Sequence, residues 1–308
     1  MGIDPKLLIN KYSLRPARPS DVEAVHEIIA KQNTLDFGSA LRTLTDLQKL
    51  WERIDLDNDT CTAFEDGKLA GYAELRDNDS PFIYLAERNN VDLAFQFLTI
   101  LEEKAATRKK EETVNLFTQI SEKNNTLLQL FAANGYKSNL SFLVMELELS
   151  EPPASPQWTD GITVRPFVKN QDEQVTYQTD EEASKDKGYH DPLSYESWVK
   201  RMGMGTESFD PGLWFLACEG NEVAGVALNV FKKDSNTGWV DHLSVRQTWR
   251  KRGIGKALLL HSFAEFYRRG IHHIKLSVDS KSLTNAPRLY ESVGMKTVQQ
   301  YHIYRKVI

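Results

Sequence analysis

Three short segments recur in the same order in the two halves of this 308-residue chain, and this internal repeat limits its possible folds more than any other feature. The middle segment of each half is an apolar run interrupted by Asp66-Gly67 or Gly220-Asn221, which predicts a β-hairpin with a tight turn. We therefore expect a mixed α/β fold (α+β, with mixed rather than purely parallel sheets). It should contain two similar domains, each with a central mixed β-sheet flanked by helices. The paired segments are residues 14–16 and 164–166, 62–71 and 215–225, and 130–136 and 289–295.

A proline-rich stretch separates the two copies. Residues 151–156 contain three of the eleven prolines of the chain. Proline lacks an amide donor and fixes φ, so such a run favours an extended linker over a helix or a strand. The sequence therefore predicts an amino-terminal domain at 11–150, a linker at 151–159 and a carboxy-terminal domain at 160–308.

The charge and the apolar content exclude several classes of protein. With 38 basic and 43 acidic side chains the net charge is −5, whereas general nucleic-acid binding needs a basic surface. No segment approaches the roughly 18 uninterrupted apolar residues of a membrane span. Two cysteines in so long a chain argue against a disulfide scaffold and against a cysteine-rich metal site. We expect a cytoplasmic protein, monomeric or homodimeric, that binds no metal, nucleic acid or membrane.

The second half contains a glycine-bearing turn between a strand and a helix. The strand pattern at 239–245 is followed by a basic stretch with Gly253 and Gly255, and a helical apolar pattern then runs to Arg268. At such a turn, free amides and the positive end of the helix dipole converge, and glycine lets an anion approach the main chain. We expect a phosphate ester to bind there, with a purely structural turn as the alternative.

Two other phosphate-binding motifs do not fit this turn. A dinucleotide fingerprint would need a small residue where Leu258 stands, and a P-loop would need glycine at Arg250 and serine or threonine at Ala257. The turn instead resembles the pyrophosphate-binding motif of the GNAT family (Gcn5-related N-acetyltransferases), Arg/Gln-x-x-Gly-x-Gly/Ala. Arg250, Gly253 and Gly255 match that motif.

A second segment of the chain also resembles this family. The strand pattern at 274–279 leads to residues 285–295, which look like the family's Asn…Ala…Leu-Tyr…Gly-Phe/Met helix and final turn. The resemblance covers the second half in detail and the first half in outline. The whole chain is similar to tandem GNAT proteins, an architecture also found in mycothiol synthases. The resemblance implies acetyl-CoA as co-substrate and an amine as acceptor.

The same resemblance implies where acetyl-CoA would bind. The pyrophosphate would lie on the backbone amides of the turn. The pantetheine arm would pair with the edge of the strand, because two parallel strands diverge there and leave backbone groups free. Asn285 would contact the cofactor, cap its own helix, or do both. The implied residues are Leu243, Ser244, Val245, Arg250, Lys251, Arg252, Gly253, Ile254, Gly255, Lys256 and Asn285.

Acyl transfer to an amine requires a neutral nucleophile, a stabilised oxyanion and a proton for the departing thiolate. Tyr290 resembles the family's general acid, with a packing role as the alternative. The backbone amide of Leu243 is implied as the oxyanion donor. For the base, the strand offers Asp241 and His242, whose side chains should point to opposite faces. We choose Asp241, acting directly or through water, and keep His242 as the substitute because its ordinary pKa suits the role.

An acid-rich segment at 171–187, which includes Asp180, falls where the family builds its acceptor-binding helices. We expect a solvated helix face, with attraction for a cationic amine as the alternative. Tyr189, His190 and Trp198 are candidates for the lining of an acceptor pocket.

The first half lacks residues that this chemistry needs. It has no glycine between Pro81 and Asn134, and Phe131 stands at the position of Tyr290. We therefore expect a degenerate first domain and one active site, in the second domain, that acetylates a primary amine of a small molecule. The alternatives are acetylation of a thiol-sugar amine, as in mycothiol synthases, and a non-catalytic acyl-CoA sensor or interaction module.

Overall fold

The computed structural model describes residues 11–38, 40, 42–76, 79–108, 113–185, 187, 190–206 and 209–308. They form a mixed α/β structure, which confirms the predicted fold class. The contacts divide the chain into two compact units, one with the residues up to Ser141 and Gln299–Ile308, the other with Phe142–Val298. None of the described helices has the length and apolar character that crossing a membrane requires.

The first unit carries a four-stranded antiparallel sheet with helices packed on it. In spatial order its strands are β1 (Ser13–Arg15), β2 (Thr60–Glu65), β3 (Lys68–Arg76) and β4 (Ser80–Leu85). Its helices are α1 (Val22–Phe37), α2 (Leu44–Trp51), α3 (Leu56–Asp59), α4 (Val91–Arg108) and α5 (Asn125–Ala133). A further strand, β5 (Asn115–Ser121), pairs with the end of the last strand of the chain, β12 (Lys296–Val307). Helix α4 buries one apolar face, which includes Leu93, Phe97 and Leu101, in the core of this unit.

The second unit is built around a longer mixed sheet. Its strands, in spatial order, are β7 (Ile162–Pro166), β8 (Trp214–Glu219), β9 (Glu222–Lys232), β10 (Thr237–Val245), β11 (His273–Asp279) and the second part of β6 (Lys137–Glu148). Its helices are α6 (Glu173–Ser184), α7 (Tyr195–Arg201), α8 (Ile254–Arg268) and α9 (Ala286–Glu291). Strand side chains alternate between faces, so Phe215 and Ala217 pack in the cluster of α8, while Trp214 and Leu216 pack in the cluster of α6 and α7.

The predicted repeat is visible in local geometry. Each unit has its hairpin at the predicted place, β2–β3 in the first and β8–β9 in the second. Each unit also fixes the start of its first long helix with the same pair of ions. Arg15 holds both carboxylate oxygens of Asp21, at 2.6 and 2.8 Å, and Arg165 holds those of Asp172 at the same distances. Because the same bidentate pair occurs in both units, Asp21 and Asp172 are equivalent residues, and positions along α1 and α6 can be compared by counting from them.

The compact units do not coincide with the predicted domains at 11–150 and 160–308. Residues 142–148 of β6 pair with β11 and belong to the second unit. Residues 301–307 of β12 pair with β5 and belong to the first unit. Each unit therefore takes one strand from the half of the sequence that otherwise builds the other unit. That two duplicated domains meet at the linker stays a prediction.

Candidate active site

Strands β10 and β11 diverge, as the family resemblance implies. They pair in parallel only from Thr237 to Val240, whereas the pairing of β11 with β6 on its other side continues to Asp279. Arg246 N–H donates to Ala224 O of β9 at 3.0 Å, and in an antiparallel ladder this orientation repeats every second residue. Leu243 and Val245 therefore turn their backbone groups away from β9, toward the gap.

One backbone group at this gap already has a partner. The carbonyl of Val245 accepts from Arg250 Nε at 3.0 Å. Within the part of the chain that the structure describes, the open groups at the edge of β10 are thus the amide and carbonyl of Leu243 and the amide of Val245. Ser244, which is predicted to act with them, pairs through its backbone with β9 instead.

The turn that follows β10 presents a run of unbonded amides. Arg250 N–H closes a turn on Gln247 O at 3.2 Å. The next six amides, those of residues 251–256, donate to no acceptor within the described part of the chain. Lys251 and Gly253 have left-handed backbones, with φ of 62° and 80°, which curls the run into a concave cradle. Because α8 begins at Ile254 without a side-chain cap, its first amides and its dipole face the same cradle.

The two glycines of the turn serve different needs. Gly253 has open space where a Cβ would stand, but its positive φ disfavours any other residue. A Cβ on Gly255 would make only ordinary contacts, at 3.6 Å to Leu289 and 3.7 Å to Val245. Packing inside the chain therefore does not require glycine at 255, and a requirement there has to come from a ligand.

Some of the cationic side chains in and next to the turn already bind other groups of the chain. Arg246 pairs with Glu182 at 2.8 Å, and Arg252 pairs with Glu219 at 2.6 Å. Arg250 donates from Nη2 to Ala183 O at 3.0 Å, so it braces the turn. The exposed Lys251 and Lys256 have no ionic partner among the described residues. These two lysines and the helix dipole supply the remaining attraction for an anion.

A buried carboxylate lies beneath β10. Asp180 on α6 is 3% exposed and accepts three hydrogen bonds, from Trp198 Nε1 at 2.9 Å, His242 Nδ1 at 2.7 Å and Ser244 Oγ at 2.7 Å. Burial alone would raise the pKa of Asp180, but the positive charge of His242 and the hydrogen bonds outweigh it, so that pKa is lowered. We call these four residues the Asp180 cluster.

One expectation from the sequence is wrong here. The face of α6 that carries Asp180 is buried rather than solvated. Trp198, a candidate for the lining of an acceptor pocket, is 1% exposed and donates from its indole nitrogen to Asp180. A signal for the buried face was present, because Thr176, Thr179, Asp180 and Ala183 recur at helical spacing. Tyr189 lies outside the described residues, and His190 contacts Glu181 at 3.1 Å.

The cluster orients His242 and changes its acidity. With Nδ1 held by Asp180, its Nε2 is the ring nitrogen left for other chemistry. Burial lowers the pKa of His242, but the charge and the hydrogen bond of Asp180 raise it more, so the net pKa is above its ordinary value. Asp241 adds to the increase and Lys187 opposes it. Asp241 itself lies at a β-bulge, is exposed, and has no hydrogen-bond partner among the described residues. The geometry thus favours His242 over Asp241 as a base.

Asn285 and Tyr290 lie at the start and near the end of one short helix. Tyr290 on α9 is 8% exposed, and burial raises its pKa to about 12. Its hydroxyl makes no hydrogen bond within the described part of the chain, so its proton is available. Asn285 has the cap position of α9 with φ of 59°, but its exposed side chain accepts no cap hydrogen bond.

Comparisons with known proteins agree with this geometry. The model of the acetyltransferase (GNAT) family matches residues 173–295. A GCN5-related N-acetyltransferase from Sphaerobacter thermophilus is 31% identical, with a TM-score of 0.82 over 97% of this chain and 96% of that chain. A tandem GNAT protein from the clavulanic acid biosynthesis pathway shares the fold, at 12% identity and a TM-score of 0.69 over 96% of this chain and 98% of that chain.

Curated relatives carry a more specific name. A mycothiol acetyltransferase from Streptomyces bingchenggensis is 25% identical over 303 residues, which is 93% of each chain. The chain spans about half the length of two other mycothiol acetyltransferases, with alignments over 49% and 56% of those proteins. The activity in that name therefore belongs to these relatives.

Proposed function

Because the chain belongs to the GCN5-related N-acetyltransferase family, we propose that its second unit transfers the acetyl group of acetyl-CoA to a primary amine of a small molecule. The observation that carries this proposal is the open edge of β10 beside the unbonded amides of residues 251–256. An extended ligand with amides at one end and a diphosphate at the other matches both features. The amides of 251–256 and Lys251 would hold the diphosphate, and the edge at Leu243 and Val245 would hold the pantetheine amides.

In this proposal, three groups of the chain act on the reacting atoms. His242 Nε2 takes a proton from the acceptor ammonium, and the neutral nitrogen attacks the thioester carbonyl carbon. The C–N bond forms, and Leu243 N–H donates to the carbonyl oxygen as that oxygen gains negative charge. The C–S bond breaks, the Tyr290 hydroxyl gives its proton to the sulfur, and the attacking nitrogen releases its second proton, which restores that hydroxyl and leaves the neutral amide. Asp180 touches none of these atoms, but it holds His242 in place and stabilises its protonated form.

Two other functions remain as candidates. The name of the curated relatives supports a thiol-bearing sugar amine as the acceptor, and this candidate differs from the first only in the acceptor. An acyl-CoA sensor without catalysis would use the same edge and turn. We also propose that the protein acts in the cytoplasm, since Cys61 and Cys218 are both buried and unpaired.

A free-thiol release assay tests the proposal. The full chain is incubated with acetyl-CoA and a panel of amines, aminoglycosides, peptides and thiol-sugar amines. Amine-dependent release of CoA supports the enzyme, and the preferred amine decides between the two acceptor classes. Binding of acetyl-CoA without release for any amine would favour the sensor.

Replacement of Gly253 by aspartate should abolish binding of CoA, which wild type should bind at one site per chain by calorimetry. The variant forces a side chain onto a residue with φ of 80° and puts a negative charge in the cradle. Gly270→Asp is the matched control, because Gly270 has φ of 75°, open space around its Cβ position, and lies at the other end of α8. Equal loss of binding in both variants would refute a phosphate site at residues 251–256.

Replacement of Asp180 by asparagine should move the acidic limb of the rate profile to lower pH and lower the plateau by roughly tenfold or more. A base must be deprotonated to act, so activity falls as pH drops through the pKa of His242. Loss of the Asp180 charge lowers that pKa, because this charge is the largest of the contributions that raise it. Asp241 and Lys187, which also face His242, stay in place. Ser244→Ala, which removes a hydrogen bond but no charge, should leave the limb almost unchanged; an unmoved limb in Asp180→Asn would remove Asp180 from this role.

A further inference from the structure

The edge of β4 in the first unit corresponds to the edge of β10 in the second. The two strands have the same register against their hairpin partners, and Ala86 N–H donates to Ala70 O at 2.9 Å just as Arg246 does to Ala224. Ile83 and Leu85 thus occupy the positions of Leu243 and Val245. The register pairs that fix this equivalence are Gly71 with Leu85, Gly225 with Val245, Ala73 with Ile83, and Ala227 with Leu243.

The first unit closes its own strand edge with one side chain. Gln32 of α1 donates from Nε2 to Ile83 O at 3.0 Å and accepts at Oε1 from Leu85 N–H at 3.1 Å. Its amide is a planar donor and acceptor, like the amides of an extended chain. The side chain is buried, so water does not compete for these bonds. Gln32 therefore satisfies the backbone groups that β10 leaves open in the second unit.

The corresponding helix position in the second unit is alanine. Counted from the carboxylate that each Arg–Asp pair fixes, Gln32 follows Asp21 by eleven positions, and Ala183 follows Asp172 by the same number. The side chain of Ala183 is a single methyl group without a donor or an acceptor, so it cannot bridge the amide of Val245. The difference between the two edges thus follows from one residue.

The start of the next helix shows an independent difference in the same direction. In the first unit, Asn90 Oδ1 accepts from Leu93 N–H at 3.1 Å and caps α4. Gly253 is the equivalent residue in the second unit, because Gly253 O accepts from Ala257 N–H just as Asn90 O accepts from Ala94 N–H. Glycine has no side chain, so it cannot cap the N–H of Lys256. The first unit therefore bonds internally at both places where the second stays open.

We propose that position 183 determines which unit binds the acyl donor, because alanine leaves the strand edge open whereas glutamine at the equivalent position 32 closes it. This inference rests on the proposed function. It makes Ala183 a specificity-determining residue for the cofactor. It also gives the first unit a physical reason for not binding acyl-CoA, in addition to its missing glycines.

Hydrogen exchange of the wild-type chain with and without CoA tests the proposal. We expect CoA to slow exchange in peptides covering 243–256 and to leave those covering 83–93 unchanged. Protection of 83–93 as strong as that of 243–256 would overturn the inference while leaving acyl-CoA binding intact. Protection in neither segment would overturn the proposed function and this inference with it.

A second experiment gives the second unit the glutamine that closes the strand edge in the first unit. Ala183→Gln should raise the Kd for CoA by about tenfold to a hundredfold, because each of two internal hydrogen bonds contributes a factor of roughly three to ten. Ala183→Met, with a side chain of similar length and no amide, should raise it less. An unchanged Kd in Ala183→Gln, or an equal increase in Ala183→Met, would refute closure of the edge by hydrogen bonding. Should Ala183→Gln fail to fold, the exchange experiment on the wild type decides.

Discussion

Replacement of Tyr290 by phenylalanine should lower kcat by about 10²- to 10⁴-fold, the usual contribution of a positioned proton donor, while the Kd for acetyl-CoA stays almost unchanged. The departing thiolate needs a proton, and phenylalanine has none to give. Burial raises the pKa of Tyr290 to about 12, so the hydroxyl keeps its proton at pH values where an ordinary tyrosine would begin to lose it. Wild-type activity should therefore persist through pH 10, and steady-state thiol release with calorimetry would measure both quantities.

Tyr267→Phe is the matched control for this variant. Tyr267 belongs to the same unit and packs its ring on His272, with ring centres 4.9 Å apart. The same loss of one hydroxyl should leave kcat close to wild type there. If Tyr290→Phe also kept wild-type kcat, Tyr290 would be a packing residue, and the proton for the sulfur would come from solvent.

Replacement of His242 by glutamine should lower kcat/KM for the amine by about 10²- to 10⁴-fold near neutral pH, and the defect should shrink as pH rises. Glutamine cannot take up a proton, so the variant depends on the fraction of acceptor that is already neutral. That fraction grows as pH approaches the pKa of a primary amine, near 10. Rate profiles of wild type and variant measured across pH should therefore converge on the alkaline side.

Asp241→Asn separates the two candidate bases. Asp241 is exposed and contributes to the pKa of His242 only through its charge, and less than Asp180 does, so its loss should change the rate little. A large defect in Asp241→Asn, together with a small one in His242→Gln, would return the role of base to Asp241.

The glycine-bearing turn before α8 could be predicted because its determinants lie next to one another in the sequence. Gly253 sets a left-handed residue directly before α8, and the first amides of any helix have no partner within that helix. The turn needs no knowledge of distant contacts, whereas the divergence of β10 from β11 was implied only by the family resemblance.

The Asp180 cluster could not be predicted in the same way. Asp180 and His242 are 62 positions apart, and their contact depends on how α6 packs against β10. The spacing of Thr176, Thr179 and Asp180 does indicate a buried face, but charge composition was the stronger signal, and it pointed to solvent. The bonds of Gln32 to β4 were hidden for the same reason, since they join residues 51 and 53 positions apart.

The exchange of β6 and β12 bears on how the chain is made. Strand β5 finds its partner in residues 301–307, so that pairing has to wait until those residues, some 180 positions later in the chain, have left the ribosome. Until then the nascent first unit presents an unpaired strand edge, which is a site for aggregation or for pairing with another chain. For the same reason, a cut in the proline-rich linker would leave each fragment without one of its strands. The two units therefore complete their folding together rather than one after the other.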